Sequence, residues 1–196
     1  MRKYCFILLI ITLLSACSKD EMDRTIFIPD DNDYNLPAYT EWGYNSFGAE
    51  YERNYFLASN SIVPCKITYH DNQLRFSLSG RVTGGSYKTT TLSFIFTPST
   101  PILDYSDLVK LNGVKINLTT INCTVTMEQD GDEKTLSVMG GELYFKRTQL
   151  LSIDDKVNRV ILSGTFNVRF LQNNLPSYMS NGRFDLGITQ NVFLYY

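Results

Sequence analysis

The sequence predicts an all-β domain, an antiparallel β-sandwich of about ten strands, with a closed lipocalin-like β-barrel as the alternative. Three observations carry this. Apolar residues recur with a period of two over most of the chain, turn-forming residues separate the runs, and no segment sustains an amphipathic helical stripe. Alternation against Ser, Thr, Asn and Lys is the pattern of strands with one buried face. Sandwich and barrel alternate in the same way, so both remain open.

The N-terminus is read separately from the fold. Met1-Arg2-Lys3 is basic, and Cys5 to Leu14 is an apolar run broken only by Thr12. Spanning ~30 Å of hydrocarbon takes about 20 residues, so this run has the length of a signal-peptide core instead. Leu14-Ser15-Ala16-Cys17 follows and resembles a bacterial lipobox, in which small residues admit the peptidase and the cysteine carries a diacylglycerol. The resemblance implies a signal peptide over residues 1–16, lipidation at Cys17 and a membrane partner reached through that lipid. Ser18-Lys19-Asp20-Glu21 resembles the export signal of Bacteroidota lipoproteins, which implies an outer-membrane, lipid-anchored protein facing the cell exterior.

Residues 17–42 read as a lipidated start and flexible tether, because Pro29, Asp30-Asp31-Asn32-Asp33 and Pro37 interrupt any pattern. Asp31, Asp33 and Asn35 imitate the first calcium ligands of an EF-hand. The glycine and bidentate acid that such a loop needs are replaced by Leu36 and Trp42.

A single β domain is expected over residues 43–196. Cys65, Ile67 and Tyr69 share one face, as do Leu74, Phe76 and Leu78, and then Leu92, Phe94 and Phe96. Tyr105 to Leu111, between Pro101 and Gly113, is the best helical candidate, one or two turns long. Val114, Ile116 and Leu118 alternate next, followed by Ile121, Cys123, Val125 and Met127. Val160, Leu162, Phe166, Val168 and Phe170 hold one face of a long run with Gly164 in register, and Phe184, Leu186 and Ile188 hold another. Phe193-Leu194-Tyr195-Tyr196 ends a last strand. Arg53-Asn54, Asp71-Asn72, Gly84-Gly85 and Asp130-Gly131 supply residues that tolerate positive φ between runs.

Charge and composition narrow the function. With 18 Lys+Arg against 20 Asp+Glu and no basic run beyond the start, nucleic acid is not an expected partner. One histidine is too few for His-based zinc chemistry. His70 adjoins Asp71, but neighbours on a strand point to opposite faces, and no Gly-x-Ser-x-Gly elbow holds a nucleophile. Glu128, Asp130, Asp132 and Glu133 cluster at a hairpin, and Asp154-Asp155 at another, where solvation is expected rather than tuning for glycoside hydrolysis. No glycine-rich phosphate loop precedes a helix. The expectation is a non-enzyme with no cofactor and no metal.

Cys65 and Cys123 both fall on apolar faces. They can form a disulfide if their Cα atoms lie within about 7 Å, or stand as two small buried hydrophobes.

The stretch Leu36-Pro37-Ala38-Tyr39-Thr40-Glu41-Trp42-Gly43-Tyr44-Asn45-Ser46-Phe47-Gly48-Ala49 resembles the opening motif of a group of small Bacteroidota cell-surface lipoproteins of unknown function. Ser163-Gly164-Thr165-Phe166 and the Asn-Gly turn of Asn181-Gly182-Arg183-Phe184-Asp185 add to the resemblance. It implies a β domain opening on a hairpin from Ala49 to Phe56 that turns at Arg53-Asn54, and it implies no activity.

Residues 34–56 hold eight aromatic side chains, a concentration that suits either packing of the first hairpin or stacking on sugar rings. Trp42, Tyr44 and Tyr39 are therefore the candidate ligand-binding residues. The expected function is a surface binding module, with a glycan or an envelope protein as partner. An accessory role in an envelope complex and a carrier of a small apolar ligand are the alternatives.

Overall fold

The computed structural model describes residues 24–59, 64–84, 89–153 and 156–196, the side chains of Ile153 and Lys156 apart. Residues 1–16, Cys17 and Ser18-Lys19-Asp20-Glu21 lie outside the described residues, as do Gly85 and Asp154-Asp155. Among the described residues no helix is long and apolar enough to cross a membrane.

The chain is all-β, with β1 (Ser46–Tyr51), β2 (Asn54–Ala58), β3 (Cys65–His70), β4 (Gln73–Val82), β5 (Thr89–Phe96) and β6 (Lys115–Asn117) in its first half. The second half adds β7 (Cys123–Gln129), β8 (Asp132–Thr135), β9 (Ser137–Ile153), β10 (Lys156–Gln172), β11 (Leu175–Ile188) and β12 (Phe193–Tyr195). A short 3₁₀ helix, Tyr105–Leu111, occupies the predicted helical stretch; Asp104 caps it by accepting the N–H of Ser106.

All twelve strands belong to one sheet, in the order β6-β9-β10-β11-β1-β2-β4-β5-β7-β8, with β3 pairing β4 and β12 running parallel to β3. Side chains from strands far apart on this path touch, so the sheet folds over on itself. The Phe76 ring lies 5.4 Å from Phe145 and 5.1 Å from Phe184, and Phe94 lies 5.6 Å from Phe166. One layer is therefore β9, β10, β11 and β1, and the facing layer is β3, β4, β5 and β7. The sheet does not close into a barrel. Its path ends at β8, which leads into β9 through the single residue Leu136 rather than through a hydrogen-bonded ladder.

Phenylalanine rings fill the space between the layers, and three glycines make room for them. A side chain at Gly80 would run into the Leu57 carbonyl and stand 2.6 Å from the Phe47 ring. Phe184 covers Gly164 and Phe166 covers Gly182 in the same way.

Several local expectations change. The first hairpin turns at Glu52-Arg53, not Arg53-Asn54, since Tyr51 pairs with Asn54 and Glu52 takes φ 56°. Asn181-Gly182 is not a turn but lies at a bulge inside β11, where Phe166 pairs with Gly182 and Val168 with Met179. The β10–β11 turn is Asn173-Asn174, both at positive φ, as a type I′ hairpin requires. Ile121 is 99% exposed and stands before β7 rather than on its inner face. Val114 and Leu118 flank a β6 of three residues.

Candidate functional site

The segment before β1 is not a loose tether over its described part. Residues 24–44 form a strap laid across the outer face of β1, β11, β10 and β9. Ile26 donates its N–H to the Tyr44 carbonyl at 2.8 Å, Ala38 donates to Ile28 at 2.7 Å and Asp30 donates to Leu36 at 2.9 Å. Leu36 is fully buried. Pro37 packs on Gly48, where any side chain would collide with its ring. Arg183 of β11 pairs with the Asp30 carboxylate at 2.5 Å. The Asp30 carboxyl is held below its ordinary value, chiefly by the N–H of Asn32 and also by Arg183. Asp30 and Asp33 each turn one carboxylate oxygen to backbone N–H groups of this loop, which is why a polar, proline-broken sequence still orders here.

The strap is pinned by one buried carboxylate. Phe184 and Leu186 face the core, so alternation turns Asp185 to the outer face. There it is 1% exposed. Its Oδ1 accepts the N–H of Gly43 at 2.7 Å and the Ser163 hydroxyl at 2.8 Å. Its Oδ2 accepts the Thr40 hydroxyl at 2.5 Å and the N–H groups of Trp42 at 3.1 Å and Tyr44 at 3.3 Å. A carboxylate only accepts, and this one meets only donors. Gly43 takes φ 75° as the chain passes over Ile161. At φ 53° the Asn45 amide oxygen accepts the Gly187 N–H of β11 at 2.9 Å.

This geometry brings together three segments that are far apart in sequence: Leu36–Gly48, Ser163–Phe166 and Asn181–Asp185. Ser163 pairs with Asp185 across the ladder, and Asp185 pairs with Ser46 on its other side. Asp185 is the residue sequence reasoning missed as a site residue. Its signal was a lone acid inside the apolar run Phe184-Asp185-Leu186.

The predicted ligand residues sit on this strap. Trp42 is 71% exposed although its own N–H is bonded to Asp185. Tyr44 and Tyr39 are half-buried. The Tyr39 hydroxyl donates to Glu41 at 3.0 Å, and the Lys146 ammonium lies 4.4 Å from its ring centre. Burial, and then Glu41, push its phenol well above the ordinary value. Glu41 is in turn held by β9, through Arg147 at 3.3 Å and by accepting the Gln149 amide at 3.0 Å on its carbonyl. Of the other aromatics in this stretch, Phe47, Tyr51 and Phe56 are core, Tyr55 is half-buried and Tyr34 is exposed. The cluster therefore divides, with Phe47, Tyr51 and Phe56 packed inside and Trp42 and Tyr34 displayed at the surface.

The cysteines do not bridge. Cys65 and Cys123 are free thiols. Ladder pairing places them on β3 and β7, three strands apart, so about 14 Å of sheet separates them before any offset along the strands. Burial pushes both thiols up, Cys123 to about 11.

His70, Asp71 and most acids of the β7–β8 hairpin lie at the surface. His70 and Asp71 do meet, at 3.1 Å, because Asp71 is a turn residue at φ 50° rather than part of the strand; both are exposed. Glu133 is not simply solvated: Thr126 and Arg75 each donate to it at 2.6 Å and lower its carboxyl, with Thr126 the larger cause. Among the described residues no group of three or more His, Cys, Asp or Glu is placed to hold a metal ion. A cleft of about 500 Å³ opens between the β7–β8 hairpin and the end of β10, with a mainly polar lining that includes Gln129, Asp132, Lys134 and Gln172.

Compared with known proteins, the chain matches no protein-family model, no curated protein and no solved structure.

Proposed function

We propose that this protein is a lipid-anchored, non-catalytic binding module of the outer cell surface, whose contact face is the strap and whose platform for a sugar ring of a glycan is Trp42. The observation that carries the reading is the pairing of an exposed indole with a fixed backbone. Trp42 is 71% exposed, yet the N–H groups of residues 42, 43 and 44 all end on Asp185. A ring presented from a pinned segment loses little freedom on binding, which favours recognition. An indole offers a flat apolar face to the C–H side of a sugar, and the same strap carries polar groups that can meet hydroxyls, Glu41 paired with Arg147 and Tyr39 beneath Lys146. The filled core between the sheet layers favours a surface platform over an enclosed apolar ligand.

The lipid anchor rests on the lipobox at Cys17. Affinity electrophoresis through gels containing host and plant polysaccharides tests the platform. Retardation of the wild-type chain by at least one glycan, lost in Trp42→Ala and weakened in Tyr44→Ala, is the expected result. Equal mobility of wild type and Trp42→Ala in every gel overturns the glycan reading and turns the search to an envelope protein.

A further inference from the structure

We propose that Ile26, Phe27 and Ile28 form a docking ridge that seats the domain on the lipid bilayer to which Cys17 anchors it, an inference that rests on the lipoprotein reading above. The three residues are consecutive and are 46%, 43% and 40% exposed. Their backbone is nevertheless fixed, since Ile26 donates to Tyr44 and Ala38 donates to Ile28. Single exposed apolar side chains are ordinary on any protein surface. Three in succession on a hydrogen-bonded segment concentrate exposed apolar surface on one short stretch of the strap, and such concentrations mark contact surfaces.

The bilayer is the occupant because of where the anchor sits in the chain. Phe27 is ten residues from Cys17. Whatever conformation those residues take, they reach at most about 36 Å. The ridge therefore stays within that distance of the acyl chains. Exposed Arg24 begins the same segment and is placed to meet headgroup phosphates beside an apolar ridge. Shallow insertion of about 5–10 Å, added to the acyl anchor, would hold the domain in one orientation instead of letting it swing.

The test uses the mature acylated protein reconstituted into phosphatidylcholine–phosphatidylethanolamine vesicles. Phe27→Trp is placed in a Trp42→Phe background, so that it is the sole tryptophan. Emission is compared with and without phosphatidylcholine brominated on its acyl chains. Docking predicts a clear loss of emission in brominated vesicles, because a ring inserted to this depth reaches the acyl chains. An acylated protein whose emission is unchanged overturns docking and leaves the anchor standing. An intact mass without the diacylglycerol overturns the anchor and docking together. Ile26→Trp in the same background is the second reporter, with folding of each variant checked by circular dichroism. Wild-type Trp42 is read in parallel: quenching there as well supports docking and overturns the glycan platform.

Discussion

The Asp185 carboxylate accepts the backbone N–H of Gly43 at 2.7 Å across 142 positions of sequence. That contact joins the strap to the C-terminal part of β11 and fixes the backbone that presents Trp42. Replacing Asp185 by Asn keeps the volume but points an NH₂ group at one of two clusters of donors. Asp185→Asn is expected to lower unfolding stability by about 3 kcal/mol, the cost of breaking buried charge-assisted hydrogen bonds. Thr40→Val, which removes one of five donors, should cost about 1 kcal/mol. Urea denaturation reads both, and hydrogen exchange should show the Gly43 amide losing protection in Asp185→Asn.

Gly80 is the point where β2 passes close to β4 beneath the Phe47 ring. A methyl group there meets the Leu57 carbonyl and the ring together, and the carbonyl cannot move without opening the β2–β4 ladder. Gly80→Ala should therefore destabilise the fold by about 2 kcal/mol, as overpacking does. Gly113→Ala is the control for steric cost, because nothing lies within 4 Å of the position. Its φ of 75° leaves only backbone strain, so the loss there should be smaller.

The free thiols make the fold indifferent to redox state. Reductant should leave the melting temperature unchanged, and unfolding should release both Cys65 and Cys123 to a thiol reagent. If oxidised protein melts higher than reduced protein, the separation of the two cysteines on β3 and β7 is wrong.

Titration sets both limits of stability. Asp30, Asp107 and Glu133 have carboxyls held below their ordinary values. The folded state therefore releases those protons more readily than the unfolded one. Their stabilisation is present above about pH 4 and is lost as pH falls through the lowered values. Cys123, at about 11, and the raised thiol and phenols of Cys65, Tyr39 and Tyr51 act in the opposite direction. They hold protons that the unfolded chain gives up from about pH 9, so stability falls above that point. Melting temperature against pH should show a plateau between about pH 5 and 8.5 with a decline on each side.

Much of the sheet was legible because alternation reports a local fact, which face of a strand is buried. Phe76, Phe94 and Phe184 announced themselves in this way. β9 did not: Gly140-Gly141 and a bulge near Phe145 break its alternation, and its identity depends on pairing with β10. The order of the strap was also hidden. Its composition resembles a linker, and the carboxylate that holds it lies near the other end of the chain. Trp42 was legible as a candidate from aromatic enrichment, but its rigid presentation required Asp185 to be placed in space.

The central claim is that Trp42, held out from a pinned strap, is a binding surface. The most direct measurement is its own emission, since it is the only tryptophan in the chain. The chain from residue 18 onward is titrated with soluble polysaccharides, as wild type and as Asp185→Asn. The account predicts a saturable shift in the wild type, and a weaker one in Asp185→Asn as the strap loosens. No shift with any glycan, or an undiminished shift in Asp185→Asn, would contradict it.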